Sequence, residues 1–166
     1  MTTYGRAAAL GMVAGLAGAA AMTAGEKLEQ RLTRRPNSYV PAHVLSRVLR
    51  LSDPDADRWG RNMAMHYGQA ALVGALRGVW SAGNLRGVRA SLMFTPLRLS
   101  VDQTLENTTG VGAPPWTWPR DELGIDVLHK AVFSLATGAV ADALIEPSPR
   151  SSAHRRFPSL RLRGFA

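Results

Sequence analysis

From Ala7 to Gly25 the chain runs for nineteen residues without a charge, preceded by Arg6 and closed by Glu26 and Lys27. About twenty helical residues cross the apolar slab of a bilayer, which is roughly 30 Å thick. The run is built of Ala and Gly more than Leu, so its insertion is only modestly favourable on its own. It carries a packing signal instead. Gly11 and Gly15 stand four apart, with Ala19 extending the row, and Ala14 with Gly18 makes a second row. Small residues at that spacing let two helix backbones approach closely. The alternative is a cleaved secretory leader, with Arg6 as its basic start and cleavage after the Ala-rich end near Ala24, although leader cores are shorter and richer in Leu.

Three further apolar runs follow. Asn62 to Gly83 contains Gly68, Gly74 and Gly78 and is interrupted by His66 and Arg77. Val88 to Glu106 is weaker, with Pro96 inside it and Arg98, Asp102 and Glu106 recurring every four residues. Leu123 to Ile145 carries Asp126, His129, Lys130 and Asp142. The averages conceal this segregation: 46% hydrophobic residues and a mean hydropathy of -0.07 are ordinary for a soluble protein. Local runs, not averages, decide insertion. The pattern predicts an all-α integral membrane bundle of about four transmembrane helices, at about 7–25, 62–83, 88–106 and 123–145. They form a single membrane-embedded domain, 1–146, followed by a basic, disordered tail, 147–166. A soluble or exported helical domain is the competing reading.

The connectors read as polar. Glu26 to Arg61 holds Arg35-Pro36 and Val40-Pro41, and each proline biases the residue before it away from helix. Ala42 to Leu51 is predicted to be a short amphipathic helix, with Val44, Leu45, Val48 and Leu49 on one side, lying in the membrane interface or on a soluble core. Ser52 to Asp55 is a turn and helix start. Thr109 to Pro119 is a Gly/Pro-rich loop, whose Trp116 and Trp118 are expected as interface anchors at the headgroup level; in a soluble protein they would plug the core instead.

Ionised groups inside the runs are the most informative feature. A charge at mid-bilayer costs roughly 2.5–3.5 kcal/mol on insertion scales, while Leu or Val returns only about 0.3–0.6. The third run therefore inserts poorly unless partner helices pair its charges. Arg98, Asp102 and Glu106 share one helix face, as do Asp126, His129 and Lys130, and as do His66 and Arg77. These stripes are expected to face one interior. His66, Arg98, Asp102, Glu106, Asp126, His129 and Lys130 are the candidates for a ligand, ion or proton network. Polar glue that fixes helix register, in a structural or transport-associated membrane protein, is the preferred reading of the same residues; a membrane-embedded enzyme or a proton- or ion-binding protein that uses them is the alternative.

Several classes are excluded or left without support. The chain has no cysteine, so disulfides, thiolate metal sites and a Cys nucleophile are ruled out. No zinc-binding H-E-x-x-H, nucleophile elbow, Walker loop or dinucleotide fingerprint is present, so no catalytic residue, metal or cofactor is expected. The net charge of +8 suits the anionic face of a bilayer. Its arginines are scattered through loops and tail instead of forming one surface with stacking aromatics, which sets nucleic acid aside. Basic residues divide almost evenly between the two sides of a four-span bundle, and both termini are expected in the cytoplasm. The lipid bilayer is the expected partner. The Gly11/Gly15 and Gly74/Gly78 rows would serve either a homo-oligomer or packing within one chain.

The Ala/Gly first span ending at Glu26, the Arg35-to-Ser38 connector (Arg-Pro-x-Ser) and a second span opening near His66 resemble the small YagU-like multi-pass proteins of bacterial inner membranes. The resemblance covers about two thirds of the chain. It implies a plasma-membrane location and no established activity, and it carries over no functional residue.

Overall fold

The structure is a computed structural model in which residues 3–148 are described. Most of the predicted basic tail therefore lies outside the described residues. Five α-helices follow one another: α1 (Tyr4–Thr33), α2 (Val40–Val48), α3 (Trp59–Ala82), α4 (Gly87–Thr108) and α5 (Arg120–Leu144), with a 3-10 turn at Pro115–Thr117. Among the described residues there is no strand. The fold is all-helical, as the apolar runs predict.

The first helix outlasts its apolar run. Thr3 caps it by accepting from the Arg6 amide at 3.3 Å, and it continues through Glu26 to Thr33. Glu26 takes a hydrogen bond from Gln30 one turn on, at 2.9 Å, and Glu29 takes one from Thr33 at 2.6 Å. Such i, i+4 pairs extend a helix into water. The polar connector thus begins at Arg34, in the left-handed region at φ 60°, and not at Glu26.

The amphipathic helix is also displaced. α2 spans Val40–Val48 and buries Ala42, Val44 and Ser46, whereas Val48 and Leu49 are exposed. Polar latches to the start of α3 choose that face: the Ala42 amide donates to Asn62 Oδ1 at 3.1 Å, and Arg61 donates to Ser46 Oγ at 3.1 Å. Hydrophobic spacing alone could not anticipate them. The turn at Ser52–Asp55 exists, with Asp53 at φ 52°, but α3 starts only at Trp59.

The four long helices run alternately up and down. α1 packs most extensively on α3 and then on α5; α4 packs on α5, and α3 also meets α5. The two Gly rows of the sequence face each other within the chain. A Cβ on Gly74 would stand 2.6 Å from Gly15 Cα, and one on Gly78 would stand 2.8 Å from Gly11 Cα. Only glycine permits that approach. The second row of α1 serves α5: a Cβ on Gly18 would stand 2.9 Å from the Phe133 carbonyl. One core gathers Ala19, Met22, Ala70, Val73, Phe94 and Phe133, and a second, of Ala7, Ala14, Ala82, Ala141 and Ile145, lies toward the end that carries the α3–α4 turn. The opposite end carries α2 and the α4–α5 loop.

The exterior is apolar. Over 7–26, 59–82, 90–108 and 123–144 no Asp, Glu, Lys or Arg is exposed. Leu16, Leu72, Met93 and Leu135 are among the side chains that point outward. Exposed hydroxyls on α4 turn back onto their own helix: Ser100 donates to the Pro96 carbonyl at 2.8 Å and Thr104 to that of Ser100 at 2.7 Å. Two helices, α1 and α5, are long and apolar enough to cross a membrane. α3 and α4 do not meet that standard: α4 carries Arg89, Arg98, Asp102 and Glu106, and α3 is diluted by Arg77 and by polar residues such as Asn62, His66 and Gln69.

Candidate functional site

Asp102 is the hub of the interior charges. On α4, Arg98 reaches its Oδ1 from one turn back, with Nη1 at 2.6 Å. From α3, Gln69 donates to the same oxygen at 2.6 Å. From α5, Lys130 reaches Oδ2 at 3.1 Å and bonds Asp126 Oδ1 at 2.8 Å. Arg98 is 2% exposed. Its Nη1 meets Asp102 as a charge contact without hydrogen-bond geometry, and its Nε has no partner. Its guanidinium lies over the Phe133 ring, 5.0 Å from the centroid. Two cations thus alternate with two carboxylates across α4 and α5, with the neutral Gln69 joining from α3, and the charges balance as a unit.

This ladder forms one wall of a cavity of about 750 Å³ at the end bearing α2 and the α4–α5 loop. All seven residues predicted as network members line it: His66, Arg98, Asp102, Glu106, Asp126, His129 and Lys130. His66 Nε2 is 3.2 Å from Thr23 Oγ1. His129 is buried, its Nε2 has no partner, and Asp126 Oδ2 has none either. Glu106 takes a hydrogen bond from Gln103 at 3.3 Å and lies under the loop, where a Cβ on Gly112 would stand 2.8 Å from its Cβ. The roof is tied down by Arg47 of α2, which donates to the Thr109 and Gly110 carbonyls, each at 3.0 Å. Beside the mouth Arg35 pairs with Glu29 at 2.9 Å, and that hydrogen bond raises the guanidinium above its ordinary pKa.

Arg77 does not join this interior. It shares a helix face with His66, but eleven residues of helix separate the two by about 16 Å along the axis. Arg77 lies at the other end, 0% exposed, with Nη2 at 3.0 Å from Asp142 Oδ2 and Nη1 at 2.5 Å from Ser81 Oγ. Asp142 also accepts from Ser81 at 2.6 Å and from the Gly87 amide at 2.7 Å. Arg86 bonds the Ile145 carbonyl at 2.6 Å and that of Asp142 as well. The single network expected from shared faces is therefore two clusters: a cavity wall at one end and a clasp joining α3, α4 and α5 at the other.

Sequence reasoning missed Thr23, Gln69 and Asn62. Neutral polar residues carry no insertion penalty large enough to mark them. It also placed Glu26 in a connector, whereas this residue lines the cavity from α1. The two loop tryptophans part company. Trp116 is 84% exposed, so it plugs nothing, while Trp118 donates to the Ala113 carbonyl at 2.8 Å and lines the cavity. Among the described residues no group of three His, Asp or Glu side chains could hold a metal ion. In comparison with known proteins the chain matches no family model, no curated protein and no solved structure.

Proposed function

We propose that the protein is a multi-pass integral membrane protein of the plasma membrane, with α1, α3, α4 and α5 crossing the bilayer. In this reading its charged interior lines a ligand-receiving cavity at one face, and its role is transport-associated binding and not catalysis. The observation that carries this reading is the inverted distribution of charge. Ionised side chains sit inside, and the outer surface of all four long helices shows none over a bilayer's thickness. A water-soluble bundle has the opposite arrangement. The apolar windows of α1 and α5 are only 39% and 28% buried, which leaves most of both facing outward. A soluble core helix hides its apolar residues. The backward hydrogen bonds of Ser100 and Thr104 support the same reading, since in lipid a hydroxyl has no water to bond.

Sodium carbonate extraction tests the proposal. The protein should stay with the membrane pellet and be released by detergent. Release into the carbonate supernatant as a folded helical species would end this reading. The cavity favours a binding role over register-fixing glue alone, because a network that served only packing would close around itself and leave no space of this size.

A further inference from the structure

The chemistry of the cavity selects a class of ligand; this step rests on the membrane-embedded reading for its setting. The cations on the cavity wall are already engaged. Arg98 and Lys130 are matched by Asp102 and Asp126, and Arg35 by Glu29. What remains is Lys27, hydrogen-bonded to the neutral side chains of Gln30 and Asn37, against three carboxylates, Glu26, Glu106 and Glu122, for which the described residues provide no ion pair. Glu29 stands outside the lining, so among the lining residues five carboxylates face four cations, and the walls carry one more negative charge than positive. Asp126 Oδ2 and Nε2 of the nine-tenths-buried His129 also lack partners, as does Nε of Arg98. The rest of the lining is apolar and aromatic, with Tyr39, Trp59 and Trp118 beside Met22 and Met63. Aromatic faces attract cations, more strongly when the ion is desolvated.

We infer that the cavity receives a hydrophobic organic cation, with Glu26 and Glu106 as its counter-ions and the aromatic residues around its apolar body. An inorganic cation would lack use for those apolar walls, and an organic anion would meet the surplus carboxylates. Arg98, the deepest cation, already faces Asp102, so an anion there would compete with that carboxylate. Gln69, Arg98 and Lys130 stand seven or eight residues inside their predicted spans, about 10–12 Å from the interface, so a bound ligand would sit below the headgroups.

The test uses two probes of equal shape and opposite charge on the purified full chain in detergent: tetraphenylphosphonium and tetraphenylborate, by equilibrium dialysis. Saturable binding of the phosphonium is expected, with the borate at least about tenfold weaker. Glu26→Gln and Glu106→Gln should each weaken phosphonium binding by about tenfold, whereas Asp121→Asn, exposed and outside the cavity, should not change it. Each variant is checked by its thermal transition. Should Glu26→Gln fail to fold, Glu106→Gln and the two-probe comparison on the unaltered chain decide. Borate binding equal to or tighter than phosphonium binding overturns the inference, as does phosphonium binding that neither variant weakens, or its absence from a folded protein. Carbonate release would overturn the membrane setting separately, and would leave the two-probe result to stand or fall by itself.

Discussion

Asp102 and His129 line the same cavity, yet they differ in what their loss would leave behind. Asp102 neutralises Arg98 and Lys130 and accepts from Gln69. Asp102→Asn would leave two buried cations with one carboxylate. Breaking a buried pair in this way costs about 3–5 kcal/mol, so the variant should show a markedly lower melting temperature in detergent or fail to accumulate. His129 is the reverse case. Its Nε2 has no partner, so His129→Leu removes an unsatisfied polar atom and should be neutral or stabilising in the same melt. Equal destabilisation by the two would mean that this nitrogen is bonded in the folded protein. At the opposite end Asp142→Asn strips the fully buried Arg77 of its counter-charge, and a loss of similar size is expected there. The sequence marked most of these residues because ionised groups in apolar runs are too costly to leave alone. It could not mark Gln69, whose hydrogen bond to Asp102 reaches from α3 to α4 and depends on how the bundle assembles.

Among the elements, α1 owes its place to what it lacks. Gly11 and Gly15 sit against Gly74 and Gly78, and a side chain on any of them meets backbone, which cannot swing aside. Gly74→Val should therefore push α1 from α3. Overpacking costs of about 1–3 kcal/mol are usual, and a collision with backbone lies at or above the top of that range. The variant should be recovered poorly or melt early, while Gly25→Val, with nothing near its Cβ, should behave as the parent. Equal behaviour of the two would dissolve the close-packing argument. These rows were legible as packing surfaces, but not whether they face another copy or another helix of the same chain. Both choices satisfy the spacing; in the structure the rows meet within the chain. α2 illustrates a different limit. Its apolar spacing pointed to Val48 and Leu49 as the inner side, yet the bonds to Asn62 and Arg61 turned Ala42 and Ser46 inward. Arg47 then ties this helix to the loop. Arg47→Ala should raise amide hydrogen exchange across residues 109–113 and leave α1 unaffected, and unchanged exchange in the loop would show that the tie holds nothing down.

For the molecule as a whole, the alternation of four long helices puts the α1–α2–α3 connector and the α4–α5 loop at one end and the α3–α4 turn at the other. Reporter insertions at Asn37 and Pro114 should consequently report one compartment and an insertion at Arg86 the opposite one. Agreement of all three would contradict crossing by α3 and α4, the two helices whose composition alone does not support a span. What the sequence determined by itself was the helical class, the approximate positions of the four long helices and the identity of the charged residues that must turn inward. Each follows from local composition and from the cost of an ion in an apolar setting, which no arrangement of neighbours removes. Only the tertiary structure decided that Arg77 and His66 belong to different clusters, that the charged wall borders open space, and that the glycine rows meet each other. Helical periodicity reports direction around an axis. Depth along the axis, and the partner that waits there, depend on how separate helices are stacked.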